Sequence, residues 1–323
     1  MHRRHLLALG ATALAGAGTA QAQGTFPTRP IRIIYPYPPG GGGDIVARLV
    51  AEKMRSDLGQ PVVVDNRPGA GGLIGAEAAA RAPKDGYTVL VTAGGLAIAP
   101  SVYTRLPFDP VQDLVGVAQL ALVPLLVVTR PESPLNSITD LIAQARREPD
   151  GVIFASFGNG TPPHLVGESI QQHAGVRMTH APYRGGAQAM PDLLSGQLTV
   201  GIFDVVSMAP HVAAGRLKAL AITGPRRAAA LPEIPTLSEA GVPFDAVGWH
   251  AAFAPAGTPQ PMVDRLNAAF VRAANLPEVR AAIVAGGSIP VEPPLTAPEW
   301  TAQFRRDVET WGAVARAANV TMD

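Results

Sequence analysis

The chain of 323 residues contains no cysteine. This absence excludes a disulfide framework, thiolate metal sites, a lipid-modified cysteine and thiol catalysis. The chain also lacks an excess of charge, because it has 26 Lys and Arg residues against 25 Asp and Glu residues. A surface that binds nucleic acid or an anionic membrane needs a basic excess on one face. We therefore expect no nucleic-acid partner.

Long apolar runs are also absent, except near the N-terminus. The chain begins Met1-His2-Arg3-Arg4-His5, continues with an almost wholly apolar stretch over residues 6–17, and reaches Ala20-Gln21-Ala22. A basic start, a short apolar stretch and an A-x-A site together predict a secretory signal peptide over residues 1–22. A membrane anchor is the alternative, but the apolar run is too short for a stable transmembrane helix. The incomplete Arg3-Arg4 motif leaves the export route open between Sec and twin-arginine.

The rest of the sequence alternates strand and helix patterns. Short apolar strands are predicted around Ile31–Tyr35, Val62–Val64 and Tyr87–Val91, with helices between them. In the first helix, apolar residues that fall on one face are Ile45, Val46, Leu49, Val50 and Met54. Strands joined through helices call for right-handed crossovers and a buried parallel sheet.

A second α/β unit follows Leu125–Val128, and the chain then returns to the first. Strands are expected near 152–156, 176–180, 198–203 and 217–222, and a return strand over 246–253. In the last helix Trp300, Phe304, Val308, Trp311 and Ala315 recur at helical spacing, which predicts core packing. We expect lobe 1 to comprise residues 26–125 and 247–323, and lobe 2 residues 126–246.

Two glycine loops open helices, but neither fits a nucleotide motif. A P-loop needs a Gly-Lys pair, which the chain lacks, and no G-x-G-x-x-G spacing is complete at Gly40–Gly43 or Gly158–Gly160. No serine stands in a G-x-S-x-G frame. The histidines His164, His173 and His180 lack metal-ligand spacing and favour capping or packing. We expect no cofactor, no metal and no catalytic residue.

Backbone chemistry remains as an explanation for the loops. A glycine loop that enters a helix exposes N–H groups beside the positive end of the helix dipole, and this arrangement binds anions. Gly40–Gly43 and Gly158–Thr161 would do so from opposite lobes. Asp44 is expected to be the N-cap of its helix, with direct ligand contact as the alternative.

Ordered blocks along the chain resemble one family. These blocks are Tyr35–Asp44, Pro61–Gly72, Asp85–Thr88, Leu106–Pro110, Ala155–His164, Ala181–Gly186, Ala221–Thr223, Leu231–Thr236 and Ala254–Pro259. Together they resemble the Bug-type solute receptors of tripartite tricarboxylate transporters. The resemblance implies an α/β, two-lobed periplasmic-binding-protein (Venus flytrap, type II-like) fold whose lobes are mainly parallel sheets flanked by helices. It also implies a small organic acid ligand, a membrane permease as partner and no catalysis.

The resemblance also implies ligand contacts in both lobes. In lobe 1 they are Tyr37, Pro39, Gly40, Gly41, Asp44, Thr92, Ala93 and Gly94; in lobe 2 they are Ser156, Gly158, Asn159, Gly160, Thr161, His164, Tyr183 and Asp204. Three structural alternatives stay open: Ser156 as the end of a strand, Tyr183 as a packing residue, and Asp204 as a helix cap. Relatives often carry a hydroxyl residue where this chain has Gly42-Gly43, so lobe 1 relies more on backbone and water and the ligand is less charged or different.

Two other classes of function remain as alternatives. One is an exported α/β hydrolase or lyase acting on a small carboxylate, which would need a nucleophile–base pair. The other is a sensor that signals through a partner. Turnover of carboxylate esters would favour the enzyme, whereas reversible stoichiometric binding would favour the receptor.

We predict that the mature protein begins at or near Gln23, because cleavage follows the A-x-A site at Ala20-Gln21-Ala22. The mature chain would carry a formal charge of about −1, since the leader holds two arginines and no acidic residue. The intact mass of protein from a periplasmic extract checks this prediction. Recovery of an uncleaved Met1 form, mainly from the cytoplasm of the native host, would contradict it.

Overall fold

The computed structural model describes residues 26–183, 185–228 and 231–322. The predicted signal peptide over residues 1–22 lies outside the described residues. The strands are β1 (Ile31–Tyr35), β2 (Val62–Asn66), β3 (Thr88–Ala93), β4 (Leu114–Val123), β5 (Leu125–Thr129), β6 (Ile153–Ser156), β7 (Thr179–Pro182), β8 (Val200–Asp204), β9 (Lys218–Ile222), β10 (Gly248–Pro255) and β11 (Ile289–Pro290).

Helices flank these strands, and a 3₁₀ turn at Ala70–Gly72 precedes the second of them. The helices are α1 (Gly42–Leu58), α2 (Leu73–Ala80), α3 (Gly95–Val102), α4 (Pro110–Asp113), α5 (Ile138–Arg147), α6 (Pro162–Ala174), α7 (Gly186–Ser195), α8 (Val205–Ala213), α9 (Gln260–Ala274), α10 (Pro277–Ala285) and α11 (Ala297–Ala317). In the described parts of the chain, no helix is long and apolar enough to cross a membrane.

The strands form two separate sheets. One has six strands in the order β11-β4-β10-β3-β1-β2, and the other has five in the order β7-β6-β8-β5-β9. Each sheet is mixed rather than mainly parallel. β1 runs parallel to β2 and β3, and β6 runs parallel to β7 and β8. Strand β10 pairs antiparallel with β3 and β4, and β5 pairs antiparallel with β8 and β9.

The chain passes between the sheets twice. The first passage is at Pro124, directly between β4 and β5, and the second lies between β9 and β10. On this pattern we propose the lobe boundaries expected above, with residues 26–125 and 247–323 in lobe 1 and 126–246 in lobe 2. The second passage is sterically constrained at Gly248, because a Cβ there would lie 2.7 Å from the carbonyl oxygen of Val123.

The apolar stripe of α11 packs in the core, as predicted. Trp300, Phe304, Trp311 and Ala315 are each at most 2% exposed. The helix begins with a capping box, in which the Thr296 hydroxyl accepts from the Glu299 N–H and the Glu299 side chain accepts from the Thr296 N–H. These contacts fix the start of the helix and therefore the position of its aromatic face.

Some predictions about local structure were wrong. Ile45 is 53% exposed, although Val46, Val50 and Met54 on the same predicted face of α1 are buried. Strand β4 and helix α3 were not predicted. Helix α3 has no 3.6-residue period because it is buried on most sides, and it contains Pro100.

A buried carboxylate joins α11 to β10. Asp307 Oδ2 accepts from the indole N–H of Trp249 at 3.0 Å, and Asp307 Oδ1 accepts from the Gln303 amide at 2.7 Å. Burial raises the pKa of Asp307 to about 6, against the effect of these hydrogen bonds. The charged form is therefore less favourable in the folded protein than in the unfolded chain.

We predict that Asp307→Asn removes a pH-dependent loss of stability. Because the pKa of Asp307 is raised in the folded protein, its carboxyl stays protonated and lowers the free energy of unfolding by nothing below about pH 4. The wild type then loses stability as the pH rises towards 6 and the buried carboxyl ionises. The loss is roughly 3 kcal/mol at most. Urea unfolding at pH 4 and pH 7 should show the variant gaining relative to wild type only at the higher pH.

Asp264→Asn on α9 is the matched control. Asp264 also accepts from a glutamine four residues earlier, Gln260, but it is exposed. The control should show no such difference between the two pH values. An Asp307→Asn variant whose stability relative to wild type is the same at both pH values would contradict the prediction.

Candidate ligand-binding site

A cavity of about 390 Å³ lies between the two sheets. Its volume falls within the usual range of small-molecule sites. Both lobes contribute residues to its wall. The lining residues are Tyr37, Gly71, Gly72, Leu73, Thr92, Ala93, Gly94, Gly95, Leu96, Ile98, Ala99, Val102, Tyr103, Val123, Leu125, Phe157, Asn159, Gly160, Thr161, Pro162, Pro163, Asp204, Gly248, Trp249, His250 and Met322.

On the lobe 1 side, the wall is formed by the end of β3 and the start of α3. A Cβ on Gly94 would lie 3.4 Å from the Cα of Gly248 on the neighbouring strand. The first N–H groups of a helix have no i−4 partner, and at α3 those of Gly95 and Leu96 belong to residues that line the cavity, whereas the Ala97 N–H donates to the Gly94 carbonyl at 3.0 Å. The Tyr37 and Thr92 hydroxyls, 3.5 Å apart, lie beside them.

The lobe 2 side offers fewer backbone donors. Pro162 and Pro163 occupy the first two positions of α6 and have no N–H. The N–H groups before them are already used, because Gly160 donates to His164 Nδ1 and Thr161 donates to the Gly158 carbonyl. The sequence-based expectation that this helix start presents a set of free amides is therefore corrected.

The first glycine loop is not part of the cavity wall. Gly40 and Gly41 are exposed, and a Cβ on Gly41 would meet nothing within 4 Å. Gly43 has a packing reason to be glycine, since a Cβ there would overlap the Tyr35 hydroxyl and the ring of His250. Pro39 is exposed as well, outside the lining.

Asp44 is not the N-cap of α1, which corrects the prediction. The N-cap is Gly41, and Asp44 stands three positions further into the helix. Its buried carboxylate accepts from the Gly40 N–H at 3.0 Å, from Arg48 Nε at 2.9 Å and from Asn66 Nδ2 at 2.9 Å. Although burial opposes it, the hydrogen bonds from Arg48, Asn66 and Gly40 lower the pKa of Asp44. Asp44 holds the loop to β2, and it does not face the cavity.

Four predicted lobe 2 residues also lie off the cavity wall. The hydroxyl of Ser156 is buried, where it bonds His180 Nε2 at 2.6 Å and accepts from the Gly158 N–H at 3.0 Å. The ring of His164 stacks on His180, with centroids 4.0 Å apart. The Tyr183 hydroxyl donates to Asp192 at 2.6 Å. Predicted contacts that the structure does not bring to the cavity are thus Pro39, Gly40, Gly41, Asp44, Ser156, Gly158, His164 and Tyr183.

The other eight predicted residues do meet at the cavity. They are Tyr37, Thr92, Ala93, Gly94, Asn159, Gly160, Thr161 and Asp204. Asp204 is also the N-cap of α8, which was the structural alternative for this residue, because its Oδ1 accepts from the Ser207 N–H at 2.8 Å. Contact of any of these residues with a ligand stays a prediction.

Several lining residues were missed by sequence reasoning. Trp249 and His250 come from the return strand β10, and Met322 comes from the C-terminal segment, where its N–H donates to the Val102 carbonyl. Burial lowers the pKa of His250 to about 4, so its imidazole is neutral at pH 7. No local pattern points to these residues, because a fold is needed to bring them to the cavity.

Metal binding finds no support in the geometry. Among residues 26–183, 185–228 and 231–322, no group of three or more His, Asp or Glu side chains could hold a metal ion. His164 and His180 are engaged with each other and with Phe154 by ring stacking.

Comparison with known proteins identifies a family. The model of the TctC family, described as "Tripartite tricarboxylate transporter family receptor", matches residues 46–320. Protein BugT of Bordetella pertussis is 38% identical over 322 residues, which cover 98% of this chain and 98% of BugT.

Solved structures match over most of the chain as well. The periplasmic binding protein BugD is 32% identical with a TM-score of 0.74, covering 92% of this chain and all of its own. An R. palustris protein solved with adipate is 30% identical with a TM-score of 0.76, covering 92% and 99%. MatC from Rhodopseudomonas palustris with bound malate is 30% identical with a TM-score of 0.71, covering 90% and 99%. These similarities confirm the predicted two-lobed periplasmic-binding-protein fold.

We predict that Asp44→Ala lowers the free energy of unfolding by about 1–3 kcal/mol, because it leaves the Gly40 N–H and the Asn66 amide without their acceptor. Glu77→Ala is the control, since it removes a more exposed i,i+4 pair with Arg81, worth about 0.3–0.5 kcal/mol. Urea unfolding of both variants measures the difference. Equal losses in the two variants would contradict the role assigned to Asp44.

Proposed function

The chain belongs to the tripartite tricarboxylate transporter receptor family, and from this we propose that it is an exported solute receptor. It binds a small organic carboxylate between its lobes and delivers the ligand to the membrane permease of a tripartite transporter. The observation that carries the proposal is the cavity between the sheets, with the start of α3 on its wall.

Backbone groups can hold a carboxylate at this position. Unpaired N–H groups and the positive end of the helix dipole stabilise an anion without a basic side chain. The hydroxyls of Tyr37 and Thr92 are bonded to each other, which leaves one O–H donor beside the helix start. The similar R. palustris structures, with adipate and with malate, support a carboxylate as the ligand class.

Export and delivery complete the proposal. On this proposal the predicted signal peptide over residues 1–22 is cleaved near Ala22 and the mature protein works in the periplasm; the similarity to BugD, a periplasmic binding protein, supports this location. Closure of the two lobes over the ligand then creates the surface that the permease recognises. A sensor would use the same binding step, and loss of uptake in a strain lacking the permease distinguishes transport from sensing.

An enzyme is the competing proposal, and one observation raises it. The Ser156 hydroxyl and His180 Nε2 are 2.6 Å apart, which is the distance of a nucleophile–base pair. However, Ser156 is fully buried and does not line the cavity. Burial, together with the neighbouring His164, lowers the pKa of His180 to about 4, well below the optimum for a general base at pH 7. These features support a receptor without catalysis.

Ligand binding should stabilise the mature protein by mass action. At a ligand concentration of a hundred times the dissociation constant, the gain is roughly 2.7 kcal/mol. A thermal-shift panel should show stabilisation by one or more small carboxylates and none by ATP, NAD or sugar phosphates, because nucleotide charges usually call for Lys, Arg or a metal.

Gly95→Val and Gly41→Val form a matched pair of variants that tests where the ligand binds. Both positions have open space where a Cβ would lie, but only Gly95 lines the cavity. Gly95→Val should abolish the ligand-induced shift, whereas Gly41→Val should retain it. If Gly41→Val abolished the shift and Gly95→Val did not, the ligand would lie at the first glycine loop instead. Stabilisation by nucleotides alone would overturn the proposed function.

A further inference from the structure

The cavity wall is largely apolar for a site that receives an anion. The apolar side chains come from both lobes, most of them from lobe 1. They include Leu73, Ile98, Val102, Val123, Leu125, Phe157, Trp249 and Met322. Burial of apolar ligand surface against such side chains is favourable in proportion to the area removed from water.

The charges at the cavity are inconsistent with a second carboxylate. Among the described residues that line the wall, none is Lys or Arg, and Asp204 is an acid. The imidazole of His250 is neutral at pH 7, since burial lowers its pKa to about 4. A second buried carboxylate would thus find no cation and would face a like charge, and each of these raises the cost of taking it out of water.

The hydrogen-bond donors are also concentrated on one side. The start of α3 provides donors on the lobe 1 side, and the bonded pair of Tyr37 and Thr92 hydroxyls leaves one further O–H donor there. On the lobe 2 side, the prolines at the start of α6 remove two N–H groups, and Gly160 and Thr161 use theirs within the loop. The Thr161 hydroxyl donates to the Gly158 carbonyl. Among the lining side chains of lobe 2, the Asn159 amide is the remaining donor, so the lobe 2 side offers a second carboxylate fewer donors than the lobe 1 side offers the first.

We propose that the ligand is a monocarboxylate with an apolar body, whose carboxylate lies at the start of α3 and whose chain or ring packs against Leu125, at the start of β5, and against Phe157 of lobe 2. This inference rests on the proposed function and narrows its ligand class. It separates the chain from the similar structures that hold adipate and malate, which each carry two carboxylates.

Pairs of ligands with the same skeleton test this proposal. Isothermal titration calorimetry of the mature protein compares octanoate with octanedioate, and benzoate with benzene-1,4-dicarboxylate, with malate as a polar reference. The monocarboxylate of at least one pair should bind with a dissociation constant at least tenfold below that of its dicarboxylate and that of malate. The first pair tests a chain and the second a ring.

The outcomes separate this inference from the proposed function. If a dicarboxylate bound as tightly as its monocarboxylate, or malate bound most tightly, the inference would be overturned and the receptor function would stand. If no carboxylate in the panel bound, both would be overturned.

Asp204→Asn tests the charge argument in the same assay. Asparagine caps a helix as well as aspartate does, so α8 keeps its N-cap while the negative charge is removed. The ratio of the dissociation constant of the dicarboxylate to that of the monocarboxylate should fall at least threefold in this variant. An unchanged preference, in a variant that melts at the wild-type temperature, would overturn the role of Asp204 in excluding a second carboxylate.

Discussion

Strand β10 is inserted between β3 and β4, and this insertion fixes how the chain returns from lobe 2 to lobe 1. The chain returns from lobe 2 at Gly248, where a Cβ would lie 2.7 Å from the Val123 carbonyl oxygen, and a Cβ on Gly94 would lie 3.4 Å from the Gly248 Cα. Because the strand fits there, the first passage between the lobes at Pro124 and the second at Gly248 lie side by side. The cavity opens beside this crossing, and its wall includes residues from β3, β4 and β10.

The same strand links the cavity to the core of lobe 1. Trp249 lines the cavity, and its indole N–H donates to the buried Asp307 of α11. Its ring also lies 5.0 Å from Trp300. The ring of His250, the next residue, lies beside Gly43. A register shift follows His250 in the pairing with β4, as is common for a bulge next to a functional site.

Sequence patterns predicted the two α/β units well, because short strands and amphipathic helices carry their periods in the residues themselves. Strand β4 and helix α3 were missed for the same physical reason: both are buried on most sides, so their apolar runs have no period to read. For the site, the sequence indicated Thr92–Gly94 and Asn159–Thr161, which do reach the cavity. It could not indicate which glycine loops face the cleft, since that depends on how the elements pack.

The two glycine loops highlighted by the sequence show why a loop's composition does not determine its role. At Gly43, glycine is required by the Tyr35 hydroxyl and His250, and Asp44 ties the loop to Asn66. At the second loop, the prolines of α6 remove the amides that an anion would need. The start of α3 has no such prolines and faces the cavity. The lobe 1 side of the cavity thus keeps amides at a helix start and the lobe 2 side has few, because the residues that begin each helix decide which N–H groups remain available.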